Sequence, residues 1–253
     1  MASREQARAA IEADRVTVDG APATKPAHMV DPGQVLAVTG PGPRFVGRGG
    51  DKLAGALARF AVAVEGRRAL DAGASTGGFT DCLLQGGATE VVSVDVGRNQ
   101  LHERLRADPR VVVRERTDVR DLAPPDDGQG FPLVVADLSF ISLRTVAGAL
   151  LGQAAPGADL VVLVKPQFEV GREAASKGRG VITDPELWRD AVLGVMGAFA
   201  PGGAAIMDLM VSPLQGADGN VEFLLHLRVG GTPTASPEAL VEAAVTDAVG
   251  STA

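Results

Sequence analysis

The chain has 253 residues, 45% of them hydrophobic, with three histidines and a single cysteine, Cys82; this supports one large core plus a small appended module and excludes an internal disulfide. No apolar stretch reaches the roughly 20 residues that a membrane helix needs, and no basic-then-apolar leader opens the sequence. A cytoplasmic protein with no membrane partner is therefore the expectation. The net charge is −7, yet residues 1–60 hold 8 Lys/Arg against 6 Asp/Glu (+2), while residues 61–253 hold 16 against 25 (−9), so the small basic excess lies at the front, where a polyanion would be met.

SREQARAAIEA at 3–13 reads as a short helix, with Ser3 as N-cap, Gln6 three residues on, and Ala7, Ala10 and Ile11 on one face. RVTVDGAPATKP then alternates apolar and polar residues around Asp19-Gly20, as a β-hairpin does. QVLAVTG is a third extended piece, and the Gly/Pro-rich stretch that follows reads as a linker, giving segments 1–40, 41–47 and 48–253. From Arg48 the pattern changes. GRGGDKLAGALARF forms a helix with Leu53, Ala56, Leu57 and Phe60 on its apolar side. Strands follow at 67–72, 90–95, 110–115, 132–138, 159–165, 204–211 and 220–228, and helices at 78–86, 98–107, 143–153 and 185–199. Runs such as LVVAD and LVVLV, apolar throughout, suit a sheet covered on both faces, hence a doubly wound, Rossmann-like α/β domain of seven strands. The last two strands lack a strong helix between them and read as an antiparallel pair at one edge; Ser236-Pro237 opens a final helix.

At 70–81 the sequence LDAGASTGGFTD places a glycine-rich turn after the first strand of that domain. A P-loop needs Lys-Ser/Thr after its last glycine, whereas Gly78 precedes Phe79. A dinucleotide loop needs two glycines one residue apart, whereas Gly73 is followed by Ala74 and Ser75. What fits is a ligand held by its adenosine and amino-acid ends, S-adenosylmethionine, whose sulfonium favours carboxylates over cations. Asp71, Gly73, Ser75, Thr76, Gly77, Gly78 and Phe79 are the candidate contacts from this turn. Asp95, at the tip of the second strand, is placed to accept bonds from ribose hydroxyls. Asp118 is placed to accept from the adenine amino group, with the Val119 backbone at the ring edge. One strand-end aspartate is more often a helix cap; three at successive strand ends point to adenosine.

The acceptor is less defined. VVADLSFIS puts Asp137 at a strand end with an aromatic three residues on, a turn that also holds exocyclic amines, so amine methylation stands as a second reading. Lys165 at the end of DLVVLVKPQF, Lys52 at the start of a helix and Glu222 in GNVEFLLHL favour a hydroxyl, because a poor nucleophile needs a base and a lysine beside another cation can serve as one. Against this, Lys52 reads equally as a solvated helix residue, and Lys165 with Glu222 as a structural ion pair. Cys82 lies within a helix, which disfavours a thiolate nucleophile, and His28, His102 and His226 have no metal-ligand spacing, so no metal is expected. GREAASKGRGVIT, with Arg172, Lys177 and Arg179, reads either as a cover over RNA or as a disordered loop.

RGGDKL, LDAGASTGGFTD, VVADLSFISL, LVKPQFEVG and GNVEFLLHL together resemble the TlyA family of ribosomal-RNA 2′-O-methyltransferases, also labelled haemolysins, over about residues 3–230. The resemblance implies the Lys-Asp-Lys-Glu tetrad of FtsJ-like enzymes at Lys52, Asp137, Lys165 and Glu222, with Lys165 as the base and the 2′-hydroxyl of a ribosomal-RNA cytidine as acceptor. It also implies that the front segment is a partial RNA-binding domain of the ribosomal-protein S-four type, with Arg4, Arg8, Arg15 and Lys25 as phosphate contacts. The first helix of that domain has no counterpart here, either through truncation of the start or because this is a shorter member; large-subunit RNA is the favoured substrate, with small-subunit RNA as the second. A membrane-active protein is the third function class, for which no pore-forming segment is found. The oligomeric state is left open.

Overall fold

The structure is a computed structural model that describes residues 4–40, 42–123, 125, 128–171, 180–216 and 219–252. Ser3, Arg172, Lys177 and Arg179 lie outside the described residues. The chain divides into two compact units, residues 1–44 and 45–253.

The first unit has one helix, α1 (Arg4–Glu12), and a three-stranded antiparallel sheet of β1 (Val16–Val18), β2 (Ala21–Pro22) and β3 (Leu36–Val38) in the order β2-β1-β3. Asp19 and Gly20 both take positive φ, 49° and 82°, the pair of left-handed residues whose twist matches a two-residue hairpin. Ala10, Val16, Val18 and Ala23 make a small core. Leu36 opposes Val18 and Val38 opposes Val16, so all four share one face of the sheet. Leu36 and Val38 nevertheless stay 58% and 52% exposed, so among the described residues that apolar face is only half covered.

The second unit begins with α2 (Gly49–Arg59) and then winds β4 (Arg68–Ala72), α3 (Gly78–Gln85), β5 (Glu90–Asp95), α4 (Glu103–Arg106), β6 (Val111–Glu115), β7 (Phe131–Ala136), α5 (Leu143–Gln153), β8 (Ala154–Val164), α6 (Pro166–Glu169), α7 (Pro185–Phe199), β9 (Ala204–Val211), β10 (Phe223–Val229) and α8 (Pro237–Thr252). The seven-stranded sheet has the order β6-β5-β4-β7-β8-β10-β9, with β10 antiparallel to both neighbours and β9 at the edge. This is the doubly wound α/β architecture expected from the strand and helix pattern. The chain winds from β4 toward β6, then returns to β7 on the other side, so a crevice opens beyond the carboxyl ends of β4 and β7.

Both faces are covered, which is why the central strands are apolar throughout. One face carries Leu70, Val134, Leu160, Val162 and Phe223 against Val146, Leu150, Val192, Phe199 and Val245 of α5, α7 and α8. The other carries Ala69, Leu133, Val135, Val161, Leu163 and Leu224 against Leu53, Ala56, Phe79 and Leu83 of α2 and α3.

Three elements begin three or more residues from where they are expected. The helix expected at 98–107 is only Glu103–Arg106, because Asn99 turns at φ 55° and the His102 imidazole caps the start by accepting from Arg104 N. β8 begins at Ala154 rather than 159, through an irregular pairing of Phe131 with Ala154. β10 begins at Phe223 rather than 220, because Asn220 is drawn off the ladder: its amide accepts from Ile182 N at 3.0 Å and donates to Gly180 O at 2.9 Å.

Candidate active site

Alternation along the strands decides where the polar groups go. On the face covered by α2 and α3, Val161 and Leu163 are succeeded by Lys165, Leu133 and Val135 by Asp137, and Ala69 by Asp71. Phe223 pairs with Val164, so one further step of that register sets Glu222 opposite Lys165. Lys52 comes from α2, which lies on this face. The apolar rows of the core thus end in one cluster of charges at the crevice.

The cluster contains two ion pairs. The Lys52 ammonium donates to Glu222 Oε2, both side chains nearly removed from solvent at 8% and 3% exposure. The Lys165 ammonium lies 2.6 Å from Asp137 Oδ1 and donates a hydrogen bond to Ser139 Oγ at 2.8 Å. Asp137 Oδ1 meets the ammonium off the hydrogen-bond axis and has no aligned donor. The Phe168 ring stands 5.9 Å from Lys165 Nζ, within cation–π range, and lies tilted at 47° to the Phe140 ring, centroids 5.3 Å apart. Two lysines are matched by two carboxylates, so this charge arrangement closes on itself without a further ion. Among the described residues no three His, Cys, Asp or Glu side chains converge as a metal site would require.

Two helix starts meet above the first strand. A Cβ added at Gly78 would stand 2.9 Å from Gly50 N and 3.2 Å from Gly49 Cα. The double glycines of RGGD and STGG therefore let α2 and α3 touch backbone to backbone and bring Lys52 over the loop. Gly73 and Gly77 take positive φ within that loop, while Ser75 and Thr76 are exposed along it.

Asp71 is fully covered and turns toward α3. Its Oδ2 accepts from Thr80 Oγ1 at 2.6 Å, and that hydroxyl lies 2.8 Å from Ser93 Oγ. Burial raises its pKa to about 7, against the Thr80 hydrogen bond, with Asp137 and Asp95 adding to the rise. Its Oδ1 has no partner. Phe79 is 3% exposed and belongs to the core. Asp71 and Phe79 therefore shape the loop from beneath in this structure, and the open side is presented by the loop backbone, Ser75 and Thr76.

Asp95 faces the crevice: Oδ2 accepts from Ser75 N at 2.7 Å and Oδ1 from Gly97 N at 2.6 Å. Each oxygen keeps a lone pair for a ribose hydroxyl. Gln100 lies across Gly97 and receives Ser75 Oγ at 3.2 Å, lining the same cavity as Asp95, Ala74 and Leu101. Asp118 is held by Arg120, whose Nε and Nη2 donate to its two oxygens at 2.9 and 2.6 Å. That guanidinium keeps the Asp118 pKa at about 2. A ligand amino group at Asp118 would share the carboxylate with Arg120. Val119 is buried, with its side chain in the core.

In the first unit Arg8 pairs with Glu12 at 2.8 Å, Arg15 Nε donates to Thr39 O at 3.0 Å, and Lys25 is exposed. The Arg4 side chain is outside the described set.

Sequence reading overlooked Ser139 and Gln100, and weighed Phe140 only as the aromatic of a turn that holds exocyclic amines. Phe140 is 92% exposed and holds φ 65°, a backbone state unusual outside glycine and one that clusters at functional sites. An aromatic in a turn just past a strand end was the available signal for it. The residues present fit S-adenosylmethionine: the crevice offers the Asp95 carboxylate and loop amides, and both cations near it are already neutralised.

Comparison with known proteins agrees with this geometry. Residues 45–229 match the FtsJ-like methyltransferase family, and residues 1–36 match the S4 domain. The chain is 51% identical to the 16S/23S rRNA (cytidine-2′-O)-methyltransferase TlyA of Mycobacterium tuberculosis, over 95% of this chain and 90% of that one. It is 38% identical to Hemolysin A of Brachyspira hyodysenteriae, over 88% and 93%. A solved structure of a hemolysin-named protein from Streptococcus thermophilus superimposes with a TM-score of 0.81 at 38% identity, covering 99% of this chain and 91% of that one. With its tetrad positions gathered at the end of a methyltransferase sheet and an S4 match ahead of it, the chain belongs to the TlyA family of FtsJ-like methyltransferases.

Proposed function

We propose that this protein methylates the ribose 2′-hydroxyl of a cytidine in ribosomal RNA, with large-subunit RNA as the first substrate. The observation that carries the reading is the pair of lysine–carboxylate contacts, Lys52–Glu222 and Lys165–Asp137, at the mouth of the donor crevice. Asp137 is already engaged by Lys165, which leaves it a poor clamp for an exocyclic amine.

S-adenosylmethionine, when bound, supplies an electrophilic methyl group on a positively charged sulfur. Asp95 accepts bonds from its ribose, the Gly73–Gly78 loop amides take its amino-acid end, and Asp118 with the Val119 backbone receives the adenine. Lys165 takes the proton of the acceptor hydroxyl as the oxygen gains the methyl group, whose bond to sulfur would break to leave a neutral thioether, and later releases that proton to water. Asp137 orients Lys165, and the buried Lys52–Glu222 pair fixes α2 beside it. The exposed Phe140 ring offers a face on which the acceptor base stacks once it leaves its helix.

RNA delivery falls to the front segment, residues 1–40, joined through 41–47 to the catalytic segment 48–253. Arg4, Arg8, Arg15 and Lys25 are its phosphate contacts. Such contacts give affinity and position without reading sequence; residues 1–40 hold four Lys/Arg against five Asp/Glu, so the placement of these cations, not a net basic charge, serves the acidic catalytic unit. On this reading the protein works with ribosomes, in the cytoplasm.

The test is to incubate the protein with labelled S-adenosylmethionine and unmodified large or small ribosomal subunits, digest the RNA and identify the labelled nucleoside. 2′-O-methylcytidine from the large subunit, lost in Lys165→Ala, is expected. Label on a base amine sinks the ribose assignment, and label confined to the small subunit reverses the choice of RNA.

A further inference from the structure

We propose that Ser139 is a fifth polar member of the catalytic cluster, a positioning residue that aims the lone pair of Lys165 at the acceptor hydroxyl. The inference rests on the proposed ribose methylation and deepens it. Lys165 Nζ is tetrahedral. One corner is its own Cε; a second is directed at Ser139 Oγ at 2.8 Å, a third lies nearest Asp137 Oδ1, 2.6 Å away but off its axis, and the fourth is taken by neither. A lysine that acts as a base is a neutral amine, with two N–H groups and one lone pair. If Asp137 and Ser139 each receive one N–H, the lone pair is left the remaining corner.

Asp137 alone cannot set that direction. Its Oδ1 meets the ammonium off the hydrogen-bond axis, and Ser139 Oγ receives the aligned bond. Without the hydroxyl, both N–H groups are free to swing onto the two oxygens of Asp137, which turns the lone pair away from the crevice. The other groups around Lys165 do not replace Ser139. Phe168 offers only a ring face at 5.9 Å, and the nearby Lys52 and Glu222 are bound to each other. Ser139 is itself exposed, so its hydroxyl stands at the open side while its oxygen accepts from Lys165. Once Lys165 has taken the acceptor proton, Ser139 receives one of the three N–H groups of the ammonium and keeps it from rotating until the proton leaves to water.

The test compares wild type with Ser139→Ala, Ser139→Thr and Ser139→Val on ribosomal subunits at saturating donor, with donor Kd measured separately by calorimetry. Threonine keeps the hydroxyl and valine has nearly the same shape without it. Ala and Val are expected to lower kcat by about 10–100-fold, the scale of one charge-assisted hydrogen bond used in the transition state. Thr is expected to stay within about threefold of wild type, while donor Kd and RNA KM change by less than about threefold in all three variants. Wild-type kcat in Ala and Val overturns the proposal. So does an equal loss in Thr and Val, which would mean that shape and not the hydroxyl matters, or a loss confined to RNA KM. If the wild-type protein itself yields no 2′-O-methylcytidine, the ribose reading fails as a whole, a result distinct from failure at Ser139.

Discussion

Removing the carboxylate in Glu222→Ala leaves the Lys52 ammonium, 8% exposed, without a counter-ion. Breaking a buried pair at one end costs about 3–5 kcal/mol, because the surviving charge stays in a poorly hydrated place. Part of that cost is escapable, since Lys52 lies near the start of α2 and its stem can reach toward water, so a value near 3 kcal/mol is expected. With a urea slope of about 2 kcal/mol per molar, the unfolding midpoint falls by about 1.5 M. Trp188 is the sole tryptophan, 3% exposed and edge-on to Phe223 at 6.3 Å, so its fluorescence follows the unit that contains the pair. The double variant Lys52→Met/Glu222→Leu removes both charges and recovers the midpoint to within about 1 kcal/mol of wild type, since matched apolar replacements of buried pairs are often neutral, while methyl transfer stays abolished. A midpoint unchanged in Glu222→Ala would refute the buried-charge reasoning, as would a double variant no more stable than the single one.

Other expectations follow from the same contacts. A Cβ at Gly216 would fall 2.1 Å from Glu222 Oε1 and 2.6 Å from its Cδ, so Gly216→Ala pushes the carboxylate off Lys52; kcat drops by about 100-fold, the usual result of a 1 Å misplacement, with donor Kd near wild type by calorimetry. Asp71, with its pKa raised to about 7 by burial, binds a proton more tightly folded than unfolded. Its contribution to stability is full below about pH 4 and is lost as pH rises through 7, at up to about 1.4 kcal/mol per pH unit. Asp71→Asn therefore gains stability relative to wild type between pH 5 and 8 in urea titrations; a constant difference across that range contradicts it. Phe140→Ala raises RNA KM by about 10-fold, from the loss of one stacked base, and leaves donor Kd alone. Asp95→Ala weakens donor binding by about 10-fold or more in calorimetry, through its lost ribose contacts.

How much of this was legible in the sequence depends on range. β5 at 90–95 and β9 at 204–211 were readable to the residue, because an apolar run bounded by turn residues is a local signal. The four charges at the crevice were also readable, each as an oddity at a strand or helix end. Their pairing was not: Lys52 meets Glu222 across 170 positions, and no local pattern encodes that. The direction of Asp71 was equally hidden. A carboxylate at a strand end can point to the crevice or beneath the following helix, and Thr80 with Ser93 decided for the latter. Ser139 escaped notice because its role depends on where Lys165, 26 residues on, directs one hydrogen.

The separation between Lys52 and Glu222 also has a consequence in time. A ribosome making this chain completes the glycine loop, Asp95 and Asp118 before residue 120, but at 5–20 residues per second it needs roughly 10–30 s to pass from Lys52 to Glu222. Throughout that interval the lysine has no counter-ion and its place on the sheet lacks β10, the strand that Glu222 precedes. The donor half of the crevice can fold early, whereas the half that reacts is assembled near the end of synthesis. A chain that has not yet delivered Glu222 therefore has a donor loop but not the completed reacting half of the crevice.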